Sequence, residues 1–323
     1  MNFDMKISVL DGFTLTRDDL SWAELAALGE LLVWPRSAGA EIPLRIADAE
    51  VVIVNKVPLS RQVIETAPVL RYITVTATGF NVIDLQAARE RGIPVSNVPS
   101  YGTSTVAQYA MSLLLELCNQ VGKHSCSVKA GEWNKSEDWT YWKSPQVELE
   151  GLSLGIMGFG KIGKRLAALG HTFGMKILYC ARSEAESLPF QCQRVSLEEL
   201  FTRSDVISLH SSLSEGAAGI IDKRLLRLMK PSAFLINTAR GQLVNESDLA
   251  CALRDGVLAG AALDVLATEP PNQSSPLLSA PNCVITPHIA WSSLPARRRI
   301  LTTTVENVRS FVAGAPVNVV NGI

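Results

Sequence analysis

Short apolar runs alternate with stretches of helical period along this chain, and the alternation occurs twice. KISVL (6–10), LLVW (31–34), VVIVN (51–55), RYITVT (71–76) and IPVSNV (93–98) are rich in β-branched residues and read as strands. SWAELAALGE (21–30), RQVIETA (61–67) and NVIDLQAARERG (81–92) place their apolar residues at helical spacing between them. After residue 151 the pattern restarts. LSLGIM (152–157), MKILY (175–179), DVISLH (205–210), AFLINTA (233–239), GAALDV (260–265) and CVITP (283–287) are the strand candidates. Helices such as KIGKRLAALGHTFG (161–174) and ESDLACALRDG (246–256) lie between them, the latter stopped by Gly256. Strands alternating with helices predict parallel sheets covered on their faces, so the fold class is α/β with two such units.

A different texture separates the two. Residues 122–150, GKHSCSVKAGEWNKSEDWTYWKSPQVELE, are polar and loop-like yet carry Trp133, Trp139 and Trp142, three of the six tryptophans. Local folding cannot hide all three, which suggests contact with another surface, as a subunit arm. A loop folded back on its own domain is the alternative.

Length supports the division, since 323 residues exceed what one core usually serves. A net charge of −1 points to neither nucleic acid nor an anionic membrane. The run Arg297, Arg298, Arg299 reads as a solvated helix face. VAQYAMSLLLEL (106–117) holds Gln108 and Glu116 and is too short to span a bilayer, so it reads as a buried helix. The N-terminal MNFDMKISVL carries acid where a secretory leader carries base, so a cytoplasmic protein is expected. The six cysteines show neither CxxC spacing nor clustering with histidine, so neither a disulfide framework nor a metal site is expected.

The sharpest local signal is Gly158, Phe159, Gly160, Lys161, Ile162 and Gly163, between an apolar strand and a helix. Gly158 permits a tight turn. Gly160 removes a side chain so that a pyrophosphate can approach backbone, and Gly163 lets the helix pack against the strand. The helix N-terminus then offers N–H groups to the phosphates. This predicts a dinucleotide site. About twenty residues on, where an acid would hold both ribose hydroxyls of NAD, the chain reads Cys180, Ala181, Arg182, Ser183. Loss of the acid and gain of a base favour NADP, with Arg182 and Ser183 on the 2′-phosphate. Glu184 and Glu186 keep NAD in contention.

Of the four histidines, His288 lies just past a strand, where a doubly wound sheet carries its ligand site. It is the acid/base candidate, with a structural histidine as the alternative. His124 falls in the polar segment and His171 on the helix after the glycine turn. His210 ends a strand and reads as lining the adenine side or as packing.

NTARG (237–241), LDVLATEPP (263–271) and TPHIAW (286–291), in this order after the glycine turn, resemble three blocks of the D-isomer-specific 2-hydroxyacid dehydrogenases. TATGFNVIDLQAARERGIPVSNVPSYGTSTVAQYAMSLLLEL (76–117) resembles that family's substrate loop and first hinge, so the resemblance covers almost the whole chain. It implies that Arg240 clamps the substrate carboxylate, that His288 exchanges a proton with the 2-oxo oxygen, and that Glu269 favours the charged imidazole. It places the amides of Thr78 and Gly79 on the carboxylate and Asp264 on the nicotinamide carboxamide. Thr105, Thr238 and His210 fall near the cofactor. A helix-capping Asp264 and a turn-capping Thr105 are the bland alternatives. LHSSLS (209–214) departs from the family in lacking a proline after the strand end.

The family's architecture implies two Rossmann-like domains. A discontinuous substrate domain (1–102 and 292–323) would enclose an inserted cofactor domain (103–291), with hinges near 101–104 and 288–294 and a cleft that closes to expel water. It also implies a homodimer through an arm at about 122–150. WTYWKSPQVELEG (139–151) resembles the glycerate dehydrogenases (hydroxypyruvate reductases) and their glyoxylate-reducing relatives. The expected reaction is NAD(P)-dependent reduction of hydroxypyruvate or glyoxylate to the D-2-hydroxy acid. Other 2-hydroxy acids, 3-phosphoglycerate or a bulkier D-hydroxy acid, are alternatives. The chain runs about 35 residues past His288, so no regulatory extension is expected. A cofactor-sensing, corepressor-like binding module on the same fold is the alternative of a different class.

Overall fold

The structure is a computed structural model describing residues 5–184, 188–213 and 216–323. The first four residues, Glu186 and Ser214 lie outside the described residues. The chain divides into two compact units, residues 1–101 with 292–323 and residues 102–291.

In the first unit the elements are β1 (Lys6–Val9), α1 (Ala23–Ala26), β2 (Glu30–Val33), α2 (Glu41–Ile46), β3 (Val51–Val54), α3 (Arg61–Glu65), β4 (Tyr72–Val75), α4 (Leu85–Glu90) and β5 (Val95–Ser96). The second holds α5 (Thr103–Asn119), α6 (Val121–Lys129), β6 (Ser153–Met157), α7 (Lys161–Thr172), β7 (Lys176–Cys180), β8 (Cys192–Arg194), α8 (Leu197–Arg203), β9 (Val206–Leu209), α9 (Lys223–Leu226), β10 (Phe234–Asn237), α10 (Glu246–Arg254), β11 (Gly260–Leu263) and β12 (Cys283–Ile285). The final helix, α11 (Leu294–Val312), belongs to the first unit again.

The α/β reading holds, with two parallel sheets. The first has five strands in the order β2-β1-β3-β4-β5 and the second seven in the order β12-β11-β10-β9-β6-β7-β8. Every strand of the second sheet pairs in parallel. Successive residues of its central strands serve opposite faces. Val206, Phe234 and Ile236 pack with Leu114 and Leu166 of α5 and α7. Ile207, Leu209 and Leu235 pack with Phe201, Leu249 and Leu253 on the other side. Burial on both faces is why these strands read as continuous apolar runs. Each fully buried Leu, Ile or Phe contributes about 1.5–3 kcal/mol.

In the first unit, α11 closes the sheet. Phe311 stacks on Tyr72 with centroids 4.5 Å apart. Asn307 donates to Thr74 Oγ1 at 3.2 Å and to the Asn97 carbonyl at 3.0 Å. Beyond α11, Asn321 accepts from Val95 N–H and donates to the Ile93 carbonyl.

Several expected elements change. The helix over 21–30 shrinks to α1, because Glu30 pairs with Lys6 and is drawn into β2. The helix over 81–92 starts at Leu85, where Asp84 caps Ala87 N–H while Ile83 bridges Leu59. The segment 122–150 opens as helix α6 instead of loop. Part of it folds back on that helix. Lys143 N–H donates to His124 Nε2 at 3.0 Å, and Tyr141 and Ser127 share a 2.6 Å hydrogen bond. Trp133, Trp139 and Trp142 nonetheless remain 49%, 85% and 71% exposed.

The arginine run is not a plain solvated face. Arg297 grips both Asp19 oxygens and the carbonyls of Leu15 and Ser292, and Arg299 donates to the Tyr101 carbonyl. Among the described residues, no helix is long and apolar enough to cross a membrane.

Candidate active site

The second sheet reverses direction at β6. The chain leaves β6 toward β7 and β8, then returns through β9 on the other side. A crevice at the carboxyl ends of two such strands is where this kind of sheet carries ligands. Gly158 follows β6 there with φ +92, and a Cβ on it would lie 2.5 Å from Ser211 N. A Cβ at Gly163 would lie 2.4 Å from the Gly158 carbonyl oxygen. Both glycines are therefore forced by packing. A Cβ at Gly160 meets nothing within 4 Å, so that glycine leaves open space. It also caps α7, whose first-turn N–H groups have no acceptor within the helix. Phe159 stacks on Tyr179 at 4.1 Å and fixes the turn against β7.

At the end of β7, Gly158 N–H donates to the Cys180 carbonyl at 2.9 Å. Arg182, Ser183 and Glu184 follow, all exposed. The sequence reading missed Arg194 in β8, opposite Tyr179 in the ladder. Its Nη2 donates to the carbonyls of Ala181 at 2.9 Å and Arg182 at 2.8 Å.

Past β10, Asn237 folds the NTARG segment. Its Nδ2 donates to the Arg240 carbonyl and its Oδ1 accepts from Ala239 N–H. Arg240 is exposed, with Nη1 on the Ala239 carbonyl at 2.7 Å. Thr238 Oγ1 is buried and has no hydrogen-bond partner among the described residues. A Cβ at Gly241 would lie 1.9 Å from the Leu266 carbonyl carbon, so the Arg240 segment presses directly on the one leading to Glu269.

His288 follows β12 with φ 54, a left-handed conformation that costs a histidine energy. Asp264, at the end of β11, offsets that cost. Its Oδ1 accepts from Thr286 Oγ1 at 2.6 Å and Ile289 N–H at 2.9 Å, and its Oδ2 accepts from Ala290 N–H at 2.8 Å. His288 N–H donates to the Asp264 carbonyl, and Trp291 Nε1–H to the His288 carbonyl. Asp264 is 1% exposed, and burial pushes its carboxyl above the ordinary range while the loop donors oppose the shift. In this arrangement the Asp264 carboxylate clamps the histidine loop.

His288 Nδ1 lies 2.6 Å from Glu269 Oε2, and Glu269 Oε1 accepts from Leu266 N–H at 3.0 Å. A carboxylate only accepts, so the Nδ1 proton is fixed on the Glu269 side and Nε2 is left for proton exchange. Arg240, Glu269 and His288 thus come together on three neighbouring strand ends, β10, β11 and β12.

Thr78 and Gly79 belong to the first unit, where Asn97 Nδ2 holds the Thr78 carbonyl and Thr78 Oγ1 donates to the Val98 carbonyl. Neither amide finds an acceptor among the described residues. Thr105 sits in the first turn of α5. His210 shares a 2.9 Å bond with Ser208 Oγ, and burial lowers its ring to about 4, which keeps it neutral. His171 stacks on Phe190 at the far end of α7.

Residues 111–290 match the family described as the D-isomer specific 2-hydroxyacid dehydrogenases, NAD binding domain. The chain is 44% identical over 321 residues to a hydroxypyruvate reductase of Blautia hydrogenotrophica, covering 98% of this chain and all of that one. This protein belongs to that family.

A glycerate dehydrogenase of Methylorubrum extorquens is 40% identical over 282 residues, 87% of this chain and 88% of that one. Among solved structures, the NADPH-dependent glyoxylate/hydroxypyruvate reductase of Sinorhizobium meliloti in complex with citrate superposes with TM-score 0.82 at 27% identity, covering 98% of this chain and 97% of that one. As a D-2-hydroxyacid dehydrogenase, the chain is an NAD(P)-dependent oxidoreductase of small 2-oxo and 2-hydroxy acids. Its residues fit a dinucleotide, for Gly160 leaves room at a helix N-terminus and Thr238 Oγ1 awaits a partner.

Proposed function

We propose that this dehydrogenase reduces hydroxypyruvate or glyoxylate to the D-2-hydroxy acid and prefers NADPH to NADH. The observation that carries the chemistry is the 2.6 Å bond between His288 Nδ1 and Glu269 Oε2. With Nδ1 committed to the carboxylate, Nε2 gives a proton to the 2-oxo oxygen in reduction and takes it back in oxidation. Glu269 orients the ring and fixes its tautomer through that bond. The nicotinamide cofactor, when bound, supplies or accepts the hydride. Arg240 holds the substrate carboxylate with a planar, permanently charged fork. The amides of Thr78 and Gly79, which find no acceptor among the described residues, are carboxylate donors in this reading, and Asp264 keeps His288 in its strained, productive conformation.

Gly158 to Gly163, with Lys161 and Ile162 opening α7, receive the pyrophosphate, and Thr105, Thr238 and His210 flank the dinucleotide. Arg182 and Ser183 take the 2′-phosphate in place of the missing acid. Support for this substrate class comes from the named activities of the relatives, and for NADPH from the exposed cation beside Cys180. We also assign the Trp-rich segment to a homodimer interface, because Trp139 and Trp142 stay 85% and 71% exposed.

A panel of hydroxypyruvate, glyoxylate, pyruvate and phenylpyruvate with each cofactor tests the reading. Preferred turnover of hydroxypyruvate or glyoxylate with NADPH is expected. A preference for phenylpyruvate, or for NADH, would overturn the corresponding half.

A further inference from the structure

Arg194 appears in none of the motifs, yet it governs the segment on which cofactor choice depends. It stands in β8, the edge strand, where the ladder sets it opposite Tyr179. From there its side chain reaches past the end of β7. Nε and Nη2 donate to the Ala181 carbonyl at 3.2 and 2.9 Å, and Nη2 donates to the Arg182 carbonyl at 2.8 Å. Two consecutive carbonyl oxygens thus converge on one guanidinium. Uncapped, they would present partial negative charge where the adenosine ribose belongs. Capped, the same turn carries a permanent positive charge.

The residue before this turn is tied to the phosphate-binding glycines, because the Cys180 carbonyl accepts from Gly158 N–H and Tyr179 stacks on Phe159. The turn held by Arg194 is therefore built onto the pyrophosphate site. The Arg182 guanidinium is exposed and engages no described residue. Acidic competition is limited. Glu198, whose charge reaches Cys180, is paired with Arg224 at 3.1 Å, and Glu184 is exposed with no described partner.

We propose that Arg194 is a specificity-determining positioning residue, which holds the Ala181–Arg182 turn so that its own charge and that of Arg182 together favour a 2′-phosphorylated dinucleotide. The inference rests on the proposed NADPH preference and deepens it. A 2′-phosphate carries nearly two negative charges at neutral pH, whereas a ribose hydroxyl carries none, so the gain falls on NADPH alone. Cationic selection at an exposed site also weakens with salt.

The test is calorimetric binding of 2′,5′-ADP and 5′-AMP to the wild type, Arg194→Ala, Arg194→Lys and Arg182→Ala, with Arg203→Ala as a control at the same sheet edge. Arg203 bonds Gln193 and not the turn. Arg194→Ala is expected to weaken 2′,5′-ADP by about tenfold and leave 5′-AMP unchanged. Arg194→Lys retains part of the preference and Arg203→Ala retains all of it. The ratio of kcat/KM for NADPH over NADH follows the same order. Equal weakening of both nucleotides, or an unchanged ratio in Arg194→Ala, overturns the inference while the NADPH preference stands. A wild type that binds 5′-AMP as tightly as 2′,5′-ADP overturns the preference itself.

Discussion

Glu269 and His288 lie nineteen residues apart in sequence and meet through a 2.6 Å bond between Oε2 and Nδ1. The two side chains come from loops after adjacent strands, β11 and β12, and each loop is separately fixed. Glu269 Oε1 holds Leu266 N–H, and Asp264 holds the amides that follow His288. The pair is therefore set by backbone, not by its own attraction.

His288→Gln should lower turnover by about 10²–10⁴-fold while the KM for cofactor stays near wild type. Glu269→Gln should lower it less, because the amide holds the Nδ1 side of the ring less firmly than the carboxylate does. Steady-state kinetics across pH checks both, and a near-normal turnover of His288→Gln would remove its acid/base role.

Arg240→Lys replaces a fork with a point charge. The expected loss is about ten- to hundredfold in kcat/KM for the 2-oxo acid, with cofactor binding unaffected. Unchanged kinetics would show that Arg240 does not hold the carboxylate.

Gly241→Ala sets a methyl group 1.9 Å from the Leu266 carbonyl carbon. Backbone must move, at a cost of about 1–3 kcal/mol. A lowered Tm with a disproportionate fall in kcat is expected, because the displaced segment leads to Glu269. A melt matching the wild type would contradict the packing.

Asp264→Asn keeps one acceptor but sets an amide donor against loop N–H groups. The loop after His288 should then exchange its amide hydrogens faster and turnover should fall. Hydrogen exchange at Ile289 and Ala290 reads this directly, and unchanged protection would dismiss the clamp.

His210 titrates near 4 in the folded chain, against an ordinary 6.5, because of burial. Between those values the unfolded chain binds more protons, so stability rises with pH across the window. The contribution is complete above pH 6.5 and is lost as pH falls toward 4. His210→Gln should therefore flatten the dependence of Tm on pH in that range. A variant that keeps the wild-type slope would assign it to other groups.

Much of the fold was legible because both sheets are parallel and buried on two faces, which leaves strong apolar runs such as VVIVN and AFLINTA. Gly158, Gly160, Gly163 and His288 were legible because they follow strands, whereas Arg240 and Glu269 were named only through the resemblance of NTARG and LDVLATEPP to a known family. β8 was not, since CQR is a three-residue edge strand with little to bury. Arg194 was lost with it. The anchoring of Arg297 was equally hidden, because its partner Asp19 lies 278 residues away and no local pattern announces it. Asp264 was noticed, but its work on the histidine loop depends on three donors that only the fold assembles.

The first unit is stitched from two ends of the chain, and α11 supplies the Tyr72–Phe311 stack, with Asn307 and Asn321 holding Thr74, Asn97, Val95 and Ile93. During synthesis those residues emerge only after the whole of the second unit. The stack of Phe311 on Tyr72 can therefore close only after residues 102–291 have been made, so the cover of the first sheet is the last part of the molecule to arrive.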